Sequence, residues 1–124
     1  MNINSVIDEL KRIYPGKKIV LNDQHNLTEI LCETEPAARH PNYSVAVSVI
    51  DSTHPHLHHK TTETYEVLRG DLELTVEGKT FHLKKGESFT IQPGELHYAK
   101  GNETWVKVTS KPGWTPGDYI KKTT

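Results

Sequence analysis

Between residues 44 and 110 the apolar side chains recur at every second position, and short turn signals interrupt the pattern repeatedly. Val45, Val47 and Val49 alternate with Ser44, Ala46 and Ser48. Leu72, Leu74 and Val76 alternate with Glu73, Thr75 and Glu77, and Phe81 and Leu83 resume after the turn Glu77-Gly78-Lys79. A two-residue period puts successive side chains on opposite faces of a strand, so each run predicts a half-buried β-strand and the EGK turn predicts a hairpin. KKGES at 84 to 88 and QPGE at 92 to 95 bracket a further strand, Phe89 to Ile91, and TWVKVTS at 104 to 110 is the last clear one. Many short strands closed by glycine turns predict an all-β barrel or sandwich.

Helical spacing occurs once. Val6, Leu10 and Ile13 share one side, Asn4 or Ser5 can cap, and Pro15-Gly16 follows, so a short amphipathic helix is expected from Ser5 to Tyr14. The tail KPGWTPGDYIKKTT carries two prolines and two glycines, which predicts irregular structure lying over the barrel. The expected layout is a helix and strand extension over residues 1–34, a barrel over 35–110 and a tail over 111–124. A chain of 124 residues suits one domain.

Charge and cysteine content narrow the function classes. With 15 basic and 16 acidic residues the formal net charge is −1, and no basic stripe is available for phosphate backbones, so no nucleic-acid partner is expected. The single Cys32 excludes an intramolecular disulfide and reads as a small buried hydrophobe. With the polar opening MNIN it predicts a cytoplasmic home. The longest mainly apolar stretch, VAVSVI, is too short to span a bilayer, so a soluble protein without membrane attachment is expected.

Residues 54 to 70, HPHLHHKTTETYEVLRG, hold four of the chain's eight histidines within six positions. Each imidazole must be hydrogen-bonded, exposed or coordinated. Residues two apart on a strand share a face, so His56 and His58 can converge while His59 points away. Glu63 follows five residues beyond His58, far enough for the chain to turn and return a carboxylate beside them. Tyr65 and Val67 share its parity, so this face is expected to look inward, and Gly70 permits a tight turn. His54 with His56 is a second pair of the same spacing. His82 is expected outside, and His25 and His40, without evident partners, receive no role. Glu66 and Arg69 read as exposed strand residues, and Lys84-Lys85-Gly86 as a charged turn.

The pattern H-x-H-x4-E-x6-G, formed by His56, His58, Glu63 and Gly70, resembles the first motif of the cupin superfamily. Gly86, Gly94 and His97 resemble the second, at the short spacing of small single-domain microbial cupins. Ile50, Gln92 (beside Pro93) and Gly101 (beside Asn102) stand where the family has glycine, proline and asparagine; none is a ligand position. His54, nine residues from Glu63, falls outside the motif. The resemblance implies a double-stranded β-helix, the cupin or jelly-roll barrel, with His56, His58, Glu63 and His97 on one divalent metal inside it. Independently, three neutral imidazoles and one carboxylate suit Fe, Mn, Co, Ni, Cu or Zn and do not suit Ca, which takes oxygens. A six-coordinate metal would keep two positions open for substrate, water or O2.

A fold does not fix a function. The expectation is a metal-dependent enzyme acting on a small polar metabolite such as a sugar, sugar phosphate or keto acid, with isomerase- or epimerase-like chemistry and the metal as Lewis acid. An Fe(II)-dependent dioxygenase and a non-catalytic small-molecule-binding cupin are the alternatives, while Cys32 lends no support to cysteine-dependent dioxygenase chemistry. Tyr65 and Tyr98, both expected to face inward, are the catalytic candidates. A homodimer is expected, because open sheet edges need covering and the helix and residues 18–34 are available to add across a partner, as small cupins often do.

Overall fold

In the computed structural model, which describes residues 1–22 and 28–122, one helix precedes ten strands, all paired antiparallel. The helix α1 covers Ile3–Ile13. Its cap is Asn2, earlier than the sequence suggested: the Asn2 side-chain oxygen accepts the Ser5 N–H at 3.1 Å, because a cap serves the third residue beyond it. Val6 and Leu10 are buried, and each contributes about 1.5–3 kcal/mol. Ile13, expected on the same side, is 38% exposed because the helix ends there, and Tyr14 packs inward instead.

The strands are β1 (Lys18–Asn22), β2 (Glu29–Glu35), β3 (Ser44–Ser52), β4 (His56–Leu57), β5 (Thr62–Arg69), β6 (Asp71–Val76), β7 (Lys79–Lys84), β8 (Ser88–Ile91), β9 (His97–Lys111) and β10 (Ile120–Lys121). β1, β2 and β3 lie side by side, and β9 joins β3 to β4, β5 and β6, so one long strand ties both ends of a curled antiparallel sheet together. The strand expected at 104 to 110 is only the second half of β9. Gly101 lets it run through, since a Cβ there would collide with the Thr104 hydroxyl and come within 2.9 Å of the Ile50 carbonyl. The hairpin of β6 and β7 turns as expected, with positive φ at both Glu77 (48°) and Gly78 (79°), the geometry that matches strand twist.

Two cores result. Inside the curl, Ile50, Val67, Leu72, Leu74, Ile91 and Val106 pack together. Outside it, α1 lays Val6 and Leu10 against Ile30, Cys32, Val47, Val49 and Trp105. β3 is therefore buried on both faces in its middle, where a half-buried strand was expected, and Cys32 is a packed core residue. Arg69 is exposed, as expected, yet engaged. Its Nη1 donates to both Glu9 carboxylate oxygens at 3.0 and 3.1 Å, and the guanidinium sits 4.2 Å above the Trp105 ring, which fastens α1 to the sheet.

The tail is more ordered than its composition suggested. A 3-10 turn covers Pro116–Asp118, and β10 pairs with β4. Among the described residues no helix is long and apolar enough to cross a membrane.

Candidate metal centre

His56 opens β4 and stands opposite His97, the first residue of β9, in the antiparallel ladder. His58 follows β4, and Glu63 is the second residue of β5. These four side chains are buried, and one donor atom from each can be chosen so that all lie within 4.8 Å of one another. Glu63 Oε1 lies 3.1 Å from His58 Nε2 and 3.2 Å from His97 Nε2. The alternation of β5 holds as the sequence indicated: Glu63, Tyr65 and Val67 are buried while Thr64 and Glu66 are only half-buried. Gly70, with φ of 87°, makes the turn into β6. Gly94, at φ of 84°, donates its N–H to the His58 carbonyl at 2.7 Å and so ties the QPGE turn to the site.

The outer nitrogens of the three imidazoles fix their tautomers. His56 Nδ1 lies 2.7 Å from the His54 carbonyl, His58 Nδ1 2.9 Å from the Asp118 carbonyl and His97 Nδ1 2.9 Å from the Glu95 carbonyl. A carbonyl oxygen only accepts, so each Nδ1 carries the hydrogen and each neutral ring turns a bare Nε2 lone pair inward. His58 Nε2 is buried and makes no hydrogen bond, despite its closeness to Glu63. Three lone pairs and a carboxylate directed at one another repel unless a cation or extra protons lie among them. An inward Nε2 with its Nδ1–H held from outside is how metal-binding histidines are oriented, so the residues fit a divalent transition metal.

Electrostatics agree. Burial would raise the Glu63 carboxyl, but His58 and His97 outweigh it and hold the group at about 2. Burial, helped by the neighbouring His97, pulls His56 down to about 4, so it is neutral and free to ligate. At His58 burial also pulls down, but Glu63 wins and the net is upward.

A cavity of about 320 Å³ opens beside the cluster, with His56, His58, Glu63 and Tyr65 among its lining. Tyr65 is inward as expected, its ring edge-on to His97, and burial keeps its phenol protonated well above the ordinary range. Tyr98 is not where it was expected. His97 and Ala99 face inward, so the two-residue period turns Tyr98 to the other face, half-buried and away from the cavity lining. His54, His59 and His82 are exposed. His40, for which no partner was evident, has two: its Nδ1 donates to the Tyr43 carbonyl at 2.7 Å and its Nε2 lies 3.0 Å from Glu35, which pushes its pKa up. His25 lies outside the described residues.

Three contributors escaped the sequence reading. Asp118 is buried, and its carboxylate accepts the N–H groups of His59, Lys60 and Thr61, which fixes the turn between His58 and Glu63. Tyr119 stacks on His56 at 4.6 Å between ring centroids. Glu29 brings a second buried carboxyl to the cavity, its oxygens accepting from Asn22 Nδ2 at 2.8 Å and Ser48 Oγ at 2.7 Å. Their separation from the histidine motif, 60 residues between Asp118 and His58, left no local pattern to find them by.

Solved structures with a similar fold are numerous. The nucleoside dehydratase Pac13 from Streptomyces superimposes with a TM-score of 0.75 at 13% identity, over 88% of this chain and 87% of that one. KdgF from Halomonas sp. gives 0.62 at 19% identity over 68% and 79%, and ectoine synthase from P. lautus 0.63 at 16% over 78% of each. At such identities the likeness shows the fold. No curated protein sequence is similar enough to count as a match. The family profile described as "Cupin domain" matches residues 43–109, more than half of the sequence, and the chain belongs to the cupin family.

Proposed function

We propose that this cupin is a metal-dependent enzyme. In this reading His56, His58, Glu63 and His97 hold one divalent transition metal, and a small polar metabolite reaches it through the adjoining cavity. The observation that carries the reading is the set of inward Nε2 atoms beside a buried carboxylate, three of the four residues lining the cavity. A metal held there supplies Lewis-acid polarisation of a substrate oxygen, which suits isomerase- or epimerase-like chemistry. The chain's own residues do the rest. Tyr65, kept as a neutral phenol, offers a hydrogen-bond donor to a bound oxygen. The strands fix the ligands before any substrate arrives, and the tail, through Asp118 and Tyr119, backs two of the histidines.

A catalytic site needs exchangeable positions, whereas a structural one is coordinatively closed. Cobalt-substituted protein titrated with azide and cyanide separates the two. Changes in the cobalt visible spectrum are expected; a spectrum that neither anion alters would leave a structural metal and remove the enzyme reading.

A further inference from the structure

On β2, Glu29, Leu31, Glu33 and Glu35 share one face, and all four line the cavity, while Ile30 and Cys32 turn outward into the core under α1. The two-residue period thus presents three carboxylates as a single wall. Glu63 adds a fourth from β5. Among the described residues no lysine or arginine lines the cavity, and residues 23–27 and 123–124 contain neither. Even with Glu29 protonated, the carboxylates of Glu33, Glu35 and Glu63 outweigh one dication in a site walled by Val20, Leu31, Val108 and Trp114.

We infer that the natural ligand is a small molecule with a positively charged nitrogen group, seated against the Glu29–Glu33–Glu35 wall while its oxygen-bearing end faces the histidines. This rests on the metal-site reading above and names the substrate class for that site. The innermost carboxylate, Glu29, is buried and satisfied only by neutral donors, Asn22 and Ser48, so its charge has no cation beside it in these contacts. Burial raises its pKa against the pull of those hydrogen bonds, so a cation seated beside it is what would hold it ionised. Glu35 at the rim is answered by His40 and, at longer range, by Lys17 and Arg39, and Lys18 stands opposite Glu33 in the β1–β2 ladder; none of these three side chains of lysine or arginine lines the cavity. Trp114 adds an aromatic face of the kind that favours organic cations. His58 Nε2, buried and without a hydrogen bond although Glu63 lies 3.1 Å away, lines the same cavity and marks it as a place where something binds. The same wall repels phosphate and carboxylate groups, which argues against sugar phosphates and keto acids and in favour of an amine, amidine or guanidine.

The test uses three hydroxamates that share a chelating head and differ at the far end: 6-aminohexanohydroxamate, hexanohydroxamate and the monohydroxamate of adipic acid. Calorimetry on cobalt-loaded protein is expected to rank them amine over neutral over carboxylate, the amine at least about tenfold tighter than the neutral compound, equivalent to about 1.4 kcal/mol. Glu29→Gln and the half-exposed Glu33→Gln should each shrink that ratio without altering the cobalt spectrum. Equal affinities, or tightest binding by the carboxylate, would overturn the inference while leaving the metal site standing. If no hydroxamate touches the cobalt, the open-site reading fails by itself while a bound metal remains, and hexylamine against hexanoate on metal-free protein decides the charge question. Preferential binding of hexylamine sustains the wall's role, and no preference ends it.

Discussion

The carbonyl of Asp118 accepts the Nδ1 hydrogen of His58 at 2.9 Å, across 60 residues of sequence. The same residue's carboxylate takes three backbone N–H groups from the turn between His58 and Glu63. One residue of the tail therefore sets both the tautomer of a candidate ligand and the path of the chain to the next.

Replacing that carboxylate should be felt at the metal. For Asp118→Ala we predict metal affinity lower by about 10–100-fold, the usual effect of losing support behind a ligand. Titration against a competing chelator measures it. Wild-type affinity in the variant would show that the turn holds itself.

Much of this was legible beforehand because it depends on local periods. Leu72, Leu74 and Val76 announce their strand, and the spacing of His56, His58 and Glu63 survives any detail of loop geometry. What was not legible depends on distant partners. Tyr98 follows a ligand in sequence, but adjacency on a strand means opposite faces. Asp118 and Tyr119 sit in a segment rich in proline and glycine, and only the fold brings them behind His58 and His56. Glu29 looks like any strand carboxylate until Ser48 and Asn22 close around it.

The two tyrosines should behave differently. Tyr65→Phe removes a donor from the cavity, and we expect weaker hexanohydroxamate binding by about 1 kcal/mol, the net worth of one hydrogen bond. Tyr98→Phe should leave binding unchanged. Equal effects from both, measured by calorimetry on cobalt-loaded protein, would contradict the assigned orientation.

Metal-free protein should lose stability on acidification. His56 has a folded pKa of about 4 against about 6.5 unfolded, so the unfolded chain binds more protons between those values and stability falls as pH drops through that window. The loss from His56 alone is on the order of 3 kcal/mol. Glu63, held at about 2, adds a further loss as pH falls below about 4.5. His58 acts oppositely: its raised pKa gives stability that is fully present below about 6.5 and lost as pH rises through the folded value. A melting temperature of chelator-treated protein that is flat from pH 7 to pH 4 would be incompatible with this balance.

We also propose that two chains associate. Among the described residues β1 pairs only with β2 and so leaves an open edge, where a second copy could add. Light scattering should give twice the 14.1 kDa chain mass at micromolar concentration; the single-chain mass would remove the dimer.

The central claim is that His56, His58, Glu63 and His97 hold one metal. Elemental analysis of protein purified without a polyhistidine tag, alongside His58→Ala and His97→Ala, tests it most directly. The account predicts one divalent transition metal per chain in the wild type and severe loss in both variants. Full stoichiometry and affinity retained by both variants, or a wild type that takes up no metal when it is supplied, would contradict it.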